Sequence, residues 1–398
     1  MTRSRHRARL SSGVAALLTA ATVLTGCGSA QAGGSGTGGA AAAPARHGAA
    51  NAITDVPGIR VGQYNRVGGG YATGTSVVWA PDGAVGSAYI GGGWPGTINS
   101  DVLQPGKKDQ RLDAAVLSGG SFFGLEAYGG VMEWLRGHRH GLVVGPTPDQ
   151  VDPLVAQAIV FDLARGGRFT AHPDQTFGTK AIEAARTGPV AQGNVGAGTG
   201  TISSAKQEVG PRLKGGVGTA STVLDGGVTV GAVAAVNAIG TPVDAGTCAL
   251  RGTGQNVGNE FAGYRPPSEQ DCAALNARTA AAGGAPPSSR SAPASHPNTT
   301  ISVVATDAKL SREQAHELAR TLNDGYTDVL RPFNSVDDGD SVFAMSTDKV
   351  AISDEQFRQL LAAARGLSGR VVAHAMLDAT STPFAPSYCD ALPSACVK

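Results

Sequence analysis

Past its first thirty residues the chain has no apolar run long enough to cross a bilayer, no cluster of Lys or Arg, and no Cys-x-x-Cys pair. Each absence closes off a class of function. Without a later spanning segment, everything after Cys27 is expected on one side of a membrane. Lys and Arg number 32 against 31 Asp and Glu, a net charge of +1, which leaves no electrostatic footprint for nucleic acid. No His stands near a cysteine at ligand spacing, so neither a metal nor another cofactor is called for.

What is there begins with the N-terminus. Arg3, Arg5, His6, Arg7 and Arg9 form a basic segment ahead of an apolar stretch from Val14 to Leu24, too short to span a bilayer comfortably. It ends in Leu24-Thr25-Gly26-Cys27, which resembles the lipobox of bacterial lipoproteins. Residues 1–26 therefore read as a lipoprotein signal peptide, with Cys27 as the lipidated residue. The expected location is outside the cytoplasm, anchored to the cell membrane by that lipid. The alternative is a plain signal peptide that a cysteine happens to follow. Residues 27–49 are mostly Gly, Ala, Ser and Thr and read as a flexible tether. Residues 50–398 remain, enough for one large domain.

Four further cysteines stand in that body: Cys248, Cys272, Cys389 and Cys396. In an oxidising compartment an even count favours disulfides. Proximity in sequence pairs Cys248 with Cys272 and Cys389 with Cys396, although four cysteines permit three connectivities.

The 57 glycines cluster in turns between Val- and Ala-rich runs. Those runs read as buried strands at Ser76–Trp79, Ala114–Leu117, Val228–Asn237, Thr300–Thr306 and Val342–Met345. Ser311-Arg-Glu-Gln314 and Ser353-Asp-Glu-Gln356 are capping-box starts with apolar stripes behind them. Two more helices are expected, from Gly124 to Arg136 and from Pro153 to Ala164. Strands and helices are interspersed, so the class is α/β or α+β with a layered core. Residues 280–297, rich in Pro and Ser, read as a disordered surface loop running straight into a β-branched strand. A long loop ending at a buried strand is odd architecture unless the chain is cut at that junction.

Seven stretches carry a resemblance, in order. They are Ile53-Thr-Asp-Val-Pro-Gly-Ile-Arg-Val-Gly62, Gly92-Gly-Trp-Pro-Gly-Thr97, Gly119-Gly-Ser-Phe-Phe-Gly-Leu125 and Gly193-Asn-Val-Gly-Ala-Gly-Thr-Gly200. Lys214-Gly-Gly-Val-Gly-Thr-Ala-Ser221, Val236-Asn237 and Asn298-Thr-Thr-Ile-Ser-Val-Val-Ala-Thr-Asp-Ala308 complete the set. Over about three quarters of its length the chain resembles the L-aminopeptidase/D-esterase family, which includes the β-aminopeptidases and the nylon-oligomer (6-aminohexanoate oligomer) hydrolases. The resemblance implies an N-terminal-nucleophile-hydrolase-like αββα sandwich in a single large domain. It also implies a precursor that cleaves itself, here between Asn298 and Thr299, into chains ending at 298 and spanning 299–398. The Asn-Thr junction is like that of the nylon-oligomer hydrolases, whereas the β-aminopeptidases and D-esterases use Gly-Ser.

The chemistry explains why a threonine must become N-terminal. A hydroxyl is a poor nucleophile without a base, and a free α-amine has a pKa of about 7.7–8, so it can serve as that base from within the same residue. The plainer alternative for Thr299 is a threonine that starts a strand. By the family pattern Asp338 and Asp340 hold the Thr299 amine and hydroxyl. Close carboxylates raise one another's pKa. Taken alone, the pair also fits a solvated acidic turn or a weak cation site. The same pattern makes Lys214 a neighbour that stabilises the Thr299 alkoxide and Asn237 a donor to the scissile carbonyl, against a surface lysine and a satisfied core amide. The amides of Gly119, Gly120 and Ser121, at a strand-to-helix turn, are candidates for an oxyanion or a substrate carboxylate, although tight packing explains those glycines equally well. His316 and His374 read as surface residues.

The expected function is hydrolysis of amide or ester bonds in small peptides, β- or D-amino-acid derivatives or oligoamides, through a Thr acyl-enzyme. The expected assembly is a homo-oligomer of two-chain units. The alternatives are a non-enzymatic substrate-binding lipoprotein that retains the fold, and an acyl transferase resembling the ornithine acetyltransferases.

Overall fold

The computed structural model describes residues 46–108, 110–204, 210–283 and 298–396. Cys27, the signal peptide, residues 27–45 and residues 284–297 lie outside the described residues.

Among the described residues, nine strands form one sheet. In chain order they are β1 (Arg60–Gly68), β2 (Tyr71–Ile90), β3 (Thr97–Ile98), β4 (Arg111–Ser118), β5 (Val155–Ile159), β6 (Gly216–Val223), β7 (Thr229–Asn237), β8 (Thr299–Ala308) and β9 (Ser341–Val350). Their order is β6-β7-β8-β9-β2-β4-β5-β3, with β1 also paired to β2. β1 and β2 form a hairpin whose Gly69-Gly70 turn has φ of +60° and +91°, the left-handed region that lets a two-residue turn follow the strand twist. β2 belongs to two neighbourhoods. Residues 71–79 pair with β1, residues 85–90 pair with β9, and the register against β4 breaks between Trp79 and Ala84. That break lets one continuous sheet fold into two stacked halves.

Three apolar clusters show the layering. β8 sends Ile301, Val303 and Ala305 into a core shared with Val78, Leu117 and Ala156 of the other half. Val304 of the same strand points the opposite way, against helices α4 (Arg312–Val329) and α5 (Asp354–Leu377), through Leu318, Leu322 and Val371. Helices α1 (Ala127–Gly137) and α2 (Gln175–Glu183) cover the far half, where Val131 and Ile182 meet Val77, Trp79 and Val116. The period-two alternation of each strand therefore serves two cores at once, and the layers run αββα as expected.

All five expected strands are present, and both capping boxes start helices: Ser311 accepts from the Gln314 amide and Ser353 from the Gln356 amide. Disulfides join Cys248 to Cys272 and Cys389 to Cys396.

Four expectations need correction. The helix expected from Pro153 to Ala164 is strand β5, parallel to β4 and buried along its whole length. A short run that is apolar on every face has no period to separate helix from strand. The helix expected from Gly124 begins as a 3₁₀ turn, Ser121–Glu126, and becomes α-helical only at Ala127. Residues 280–283, assigned to a loop, close helix α3 (Glu269–Gly283). His374 is not a surface residue: its Nε2 lies 3.1 Å from Glu260, which also pairs with the buried Arg370. In addition, residues 46–49, placed in the tether, dock on β6. There Val223 N–H donates to the Arg46 carbonyl and Gly48 N–H to the Ser221 hydroxyl.

Candidate active site

Thr299 opens β8 directly opposite Asn237, the last residue of β7. It is 3% exposed, and Asn298 before it is fully buried. The peptide carbonyl between them accepts a hydrogen bond from Gly339 N–H at 3.0 Å. Gly339 is glycine for a steric reason. A Cβ there would lie 2.9 Å from Thr299 Oγ1 and 2.6 Å from the Trp94 carbonyl oxygen. The threonine hydroxyl and the donor to the preceding carbonyl thus meet at one backbone unit.

Asp338 and Asp340 flank that unit, 1% and 0% exposed, which rules out a solvated acidic turn. Asp340 Oδ1 accepts from Thr300 N–H at 2.6 Å and Oδ2 from Asn334 N–H at 2.9 Å. Burial, and then the charge of Asp338, hold the Asp340 carboxyl well above the usual carboxylate range. Asp338 Oδ2 accepts from the Ser335 hydroxyl at 2.9 Å. The Gly-rich segment before Trp94 packs on this turn. Gly91 and Gly92 N–H donate to the Asp340 carbonyl and Trp94 N–H to that of Asp338. The motif Gly92–Thr97 is thus the wall behind the two aspartates.

Asn237 is fully buried and its amide is engaged. Oδ1 accepts from Arg165 and from Ile202 N–H, while Nδ2 donates to the Phe161 carbonyl at 3.2 Å. Its link to Asn298 runs through Arg165, whose Nη2 donates to Asn298 Oδ1 at 2.9 Å. The donor on the Asn298 carbonyl is Gly339, not Asn237.

Lys214 is buried rather than on the surface, and its ammonium donates to the carbonyls of Gly198 (2.8 Å) and Gly215 (2.7 Å). Among the described residues no hydrogen bond joins it to Thr299. Its pKa is lowered to about 7, by burial first and by the nearby Arg165 charge second, with Asp162 opposing both.

The amides of Gly119, Gly120 and Ser121 are committed within the fold, to the Gly74 carbonyl, Asp162 Oδ1 and the Val160 carbonyl respectively. They leave no N–H free for an oxyanion or carboxylate. A Cβ at Gly119 would lie 2.2 Å from both Asp162 Oδ2 and Thr73 Oγ1, so close packing accounts for that glycine.

Sequence reasoning missed Arg165, Asp162 and Gly339. Asp162 is buried, and burial raises its pKa against the opposing pull of Thr73, Gly120, Arg165 and Lys214. The available signal was an Asp and an Arg three apart at the end of the buried run Val155–Val160, where charges are costly unless they have partners. Among the described residues no group of three His, Cys, Asp or Glu is placed to hold a metal ion. The arrangement supplies a hydroxyl beside a polarised carbonyl, a carboxyl whose pKa is raised, and a lysine whose pKa is lowered. Those are the parts of acyl transfer at the bond between Asn298 and Thr299.

The profile of peptidase family S58 matches residues 51–386. An uncharacterized aminopeptidase of Mycobacterium leprae is 39% identical over 374 residues, covering 87% of this chain and 95% of its own. A 6-aminohexanoate-oligomer endohydrolase of Paenarthrobacter ureafaciens is 29% identical over 300 residues, covering 74% of this chain and 75% of its own. Among solved structures, the L-aminopeptidase D-Ala-esterase/amidase of Ochrobactrum anthropi is described as a variant of the Ntn-hydrolase fold. It matches with a TM-score of 0.61 at 22% identity, covering 87% of this chain and 92% of its own. A β-aminopeptidase of Burkholderia sp. matches with a TM-score of 0.59 at 23% identity, covering 89% and 97%. These two likenesses place the αββα sandwich with the N-terminal-nucleophile hydrolases in fold.

Proposed function

The chain belongs to peptidase family S58 and is a hydrolase of peptide or amide bonds, and we propose that it cuts itself before Thr299 and then uses the freed Thr299 as its nucleophile. The setting of one peptide bond carries this reading. The bond between Asn298 and Thr299 is buried, its carbonyl held by Gly339 N–H and its hydroxyl packed on Gly339, beside Asp338 and Asp340.

In the self-cleavage, Thr299 Oγ attacks the Asn298 carbonyl carbon, and its proton is relayed through the Asp338–Asp340 pair, replacing the one that passes to the Thr299 nitrogen. The charge that develops on the carbonyl oxygen meets Gly339 N–H. The carbon–nitrogen bond breaks, the Thr299 nitrogen takes up a proton, and an ester joins Asn298 to Thr299 Oγ. Water hydrolyses that ester, leaving a carboxylate on Asn298 and restoring the hydroxyl beside a free α-amine. Asp340, whose pKa burial raises, is the acid assigned to the leaving nitrogen, and Asp338 shares the holding of the new amine. Lys214, with its pKa near 7, contributes positive charge to the field around the alkoxide, and Asn237 steadies Asn298 through Arg165.

On a substrate the α-amine of Thr299 is the base. Thr299 Oγ forms an ester with the acyl group as the amine product leaves, and water releases the acid. The mature protein is then two associated chains, residues 27–298 and 299–398, and further assembly into an oligomer belongs to the same reading. Substrates of this class are short peptides with a free amine, β- or D-amino-acid derivatives and linear oligoamides.

Intact mass of the wild type beside Thr299→Ala tests the reading. Two fragments split between Asn298 and Thr299 in the wild type alone support it. A single uncut chain in both overturns it and puts the binding-lipoprotein alternative in front.

Export and lipid anchoring at Cys27 are part of the proposal. Two disulfides suit an oxidising compartment. Cys27→Ser should move the protein from the membrane fraction to the soluble one.

A further inference from the structure

The bond before Thr299 is also the first amide the site would meet, so the groups around Asn298 describe an acyl-side subsite already filled once. We propose that Arg165 and the Ala238 carbonyl form the specificity subsite of the mature enzyme. Its preferred acyl donors carry a carboxamide on the β-carbon, as an asparaginyl group does. The inference rests on the self-cleavage reading and goes beyond it by naming the substrate class.

Three contacts hold Asn298. Its carbonyl oxygen accepts from Gly339 N–H at 3.0 Å, its Oδ1 from Arg165 Nη2 at 2.9 Å, and its Nδ2 donates to the Ala238 carbonyl at 3.0 Å. The side-chain contacts form a donor–acceptor pair of fixed sense, and a carboxamide satisfies both at once. An aspartyl group suits Arg165 but turns its second oxygen toward the Ala238 carbonyl, oxygen against oxygen. An alanyl or leucyl group leaves Nη2 of the half-buried Arg165 and the Ala238 carbonyl without these partners. A site built from buried polar groups discriminates strongly against a ligand lacking their complement.

The subsite is also built independently of Asn298. Arg165 Nη1 donates to Asn237 Oδ1, and its guanidinium lies 5.4 Å from the centre of the Phe161 ring. Asn237 is fixed in turn by Ile202 N–H and the Phe161 carbonyl. When the freed C-terminal Asn298 withdraws after the cut, the guanidinium keeps these supports, all of them in the same first chain, and the forked donor remains aimed into the vacated space. Self-cleavage and turnover then share one acyl site, with Thr299 Oγ forming the same ester in each.

The test uses wild-type protein, with its state of cleavage checked by mass. It is given asparaginyl, glutaminyl, aspartyl, alanyl and leucyl p-nitroanilides at neutral pH. The expected result is a kcat/KM for the asparaginyl compound about tenfold or more above each of the others. In Arg165→Gln the ratio of asparaginyl to alanyl turnover should narrow to about threefold or less. Should that variant fail to fold or cut, the wild-type panel still decides. A cut preparation that hydrolyses the alanyl or leucyl anilide as fast as the asparaginyl one overturns the subsite and leaves the Thr299 reading standing. An uncut preparation inert toward every anilide overturns both.

Discussion

Asp340 Oδ1 accepts the backbone N–H of Thr300 at 2.6 Å, which sets a fully buried carboxyl one residue past the bond proposed to be cut. Its pKa is raised, by burial first and by Asp338 second, so it holds its proton to a higher pH than an ordinary aspartate does. Self-cleavage should therefore persist to a higher pH than an ordinary carboxylic acid would allow. Asp340→Asn keeps the shape and removes the acid, and the cutting rate should fall by about 100-fold or more, the scale of general acid catalysis. A time course of intact mass after refolding checks this. Cutting at the wild-type rate would remove Asp340 from the mechanism.

Gly339 faces two demands that no other residue meets. Its N–H reaches the Asn298 carbonyl, and the space above its Cα is taken by Thr299 Oγ1 and the Trp94 carbonyl. Gly339→Ala must push one of these aside. The expected outcome is a folded but uncut chain, destabilised by about 1–3 kcal/mol as for other overpacked sites. Mass spectrometry reads the first effect and chemical denaturation the second.

The layers were legible because their signals are local and periodic. Ser311 and Ser353 announce helices through the glutamine three residues on, and the β-branched run after Thr299 reads as a strand whichever neighbour it pairs with. β5 was misread because Val155–Ile159 is buried on both faces, so nothing alternates. The candidate site divides the same way. Thr299 stands in one of the seven stretches and Asp338 and Asp340 follow from the family pattern, and the structure brings the three together. Arg165 lies in no such stretch. Its importance comes from tertiary contact, since the end of β5 is carried to the ends of β7 and β8 by the folding of the sheet upon itself. The oxyanion donor was sought at Gly119–Ser121 because glycines at a strand-to-helix turn suggest free amides. Only pairing in three dimensions shows those amides already used.

Asp113 offers a pH-dependence outside the site. It is 6% exposed on β4 and accepts from Leu154 N–H at 2.8 Å, and its pKa is raised to about 6, by burial above all. A carboxyl raised in the folded state binds more protons there than in the unfolded chain. Its contribution is therefore fully present below the ordinary aspartate range and is lost as pH rises toward about 6. Asp113→Asn keeps an acceptor and removes the charge. The variant should gain on the wild type by up to about 3 kcal/mol between pH 4 and pH 7.5, at 1.36 kcal/mol per unit. Denaturant melts at the two pH values check it. An equal pH slope in both proteins would show that Asp113 is not buried as a charged group above pH 6.

Lys214 runs with the opposite sign. Its folded pKa, lowered to about 7 chiefly by burial and then by Arg165, lies below that of an unfolded lysine. Between those values the unfolded chain binds more protons, so this group makes stability rise with pH from about 7 toward 10. If its charge also serves the alkoxide of Thr299, the cutting rate should carry a step near pH 7. Lys214→Met removes the titration and takes the ammonium donor from the Gly215 carbonyl, at a cost of about 1–3 kcal/mol, while the Gly198 carbonyl keeps the Thr201 hydroxyl. The variant should therefore be less stable and should lose the step. Lys214→Arg separates the two effects. It restores a cation that does not titrate, so cutting should recover in part while the step near pH 7 stays absent. A pH profile of self-cleavage that keeps its step in Lys214→Arg would assign that titration to another group and return Lys214 to a purely structural role.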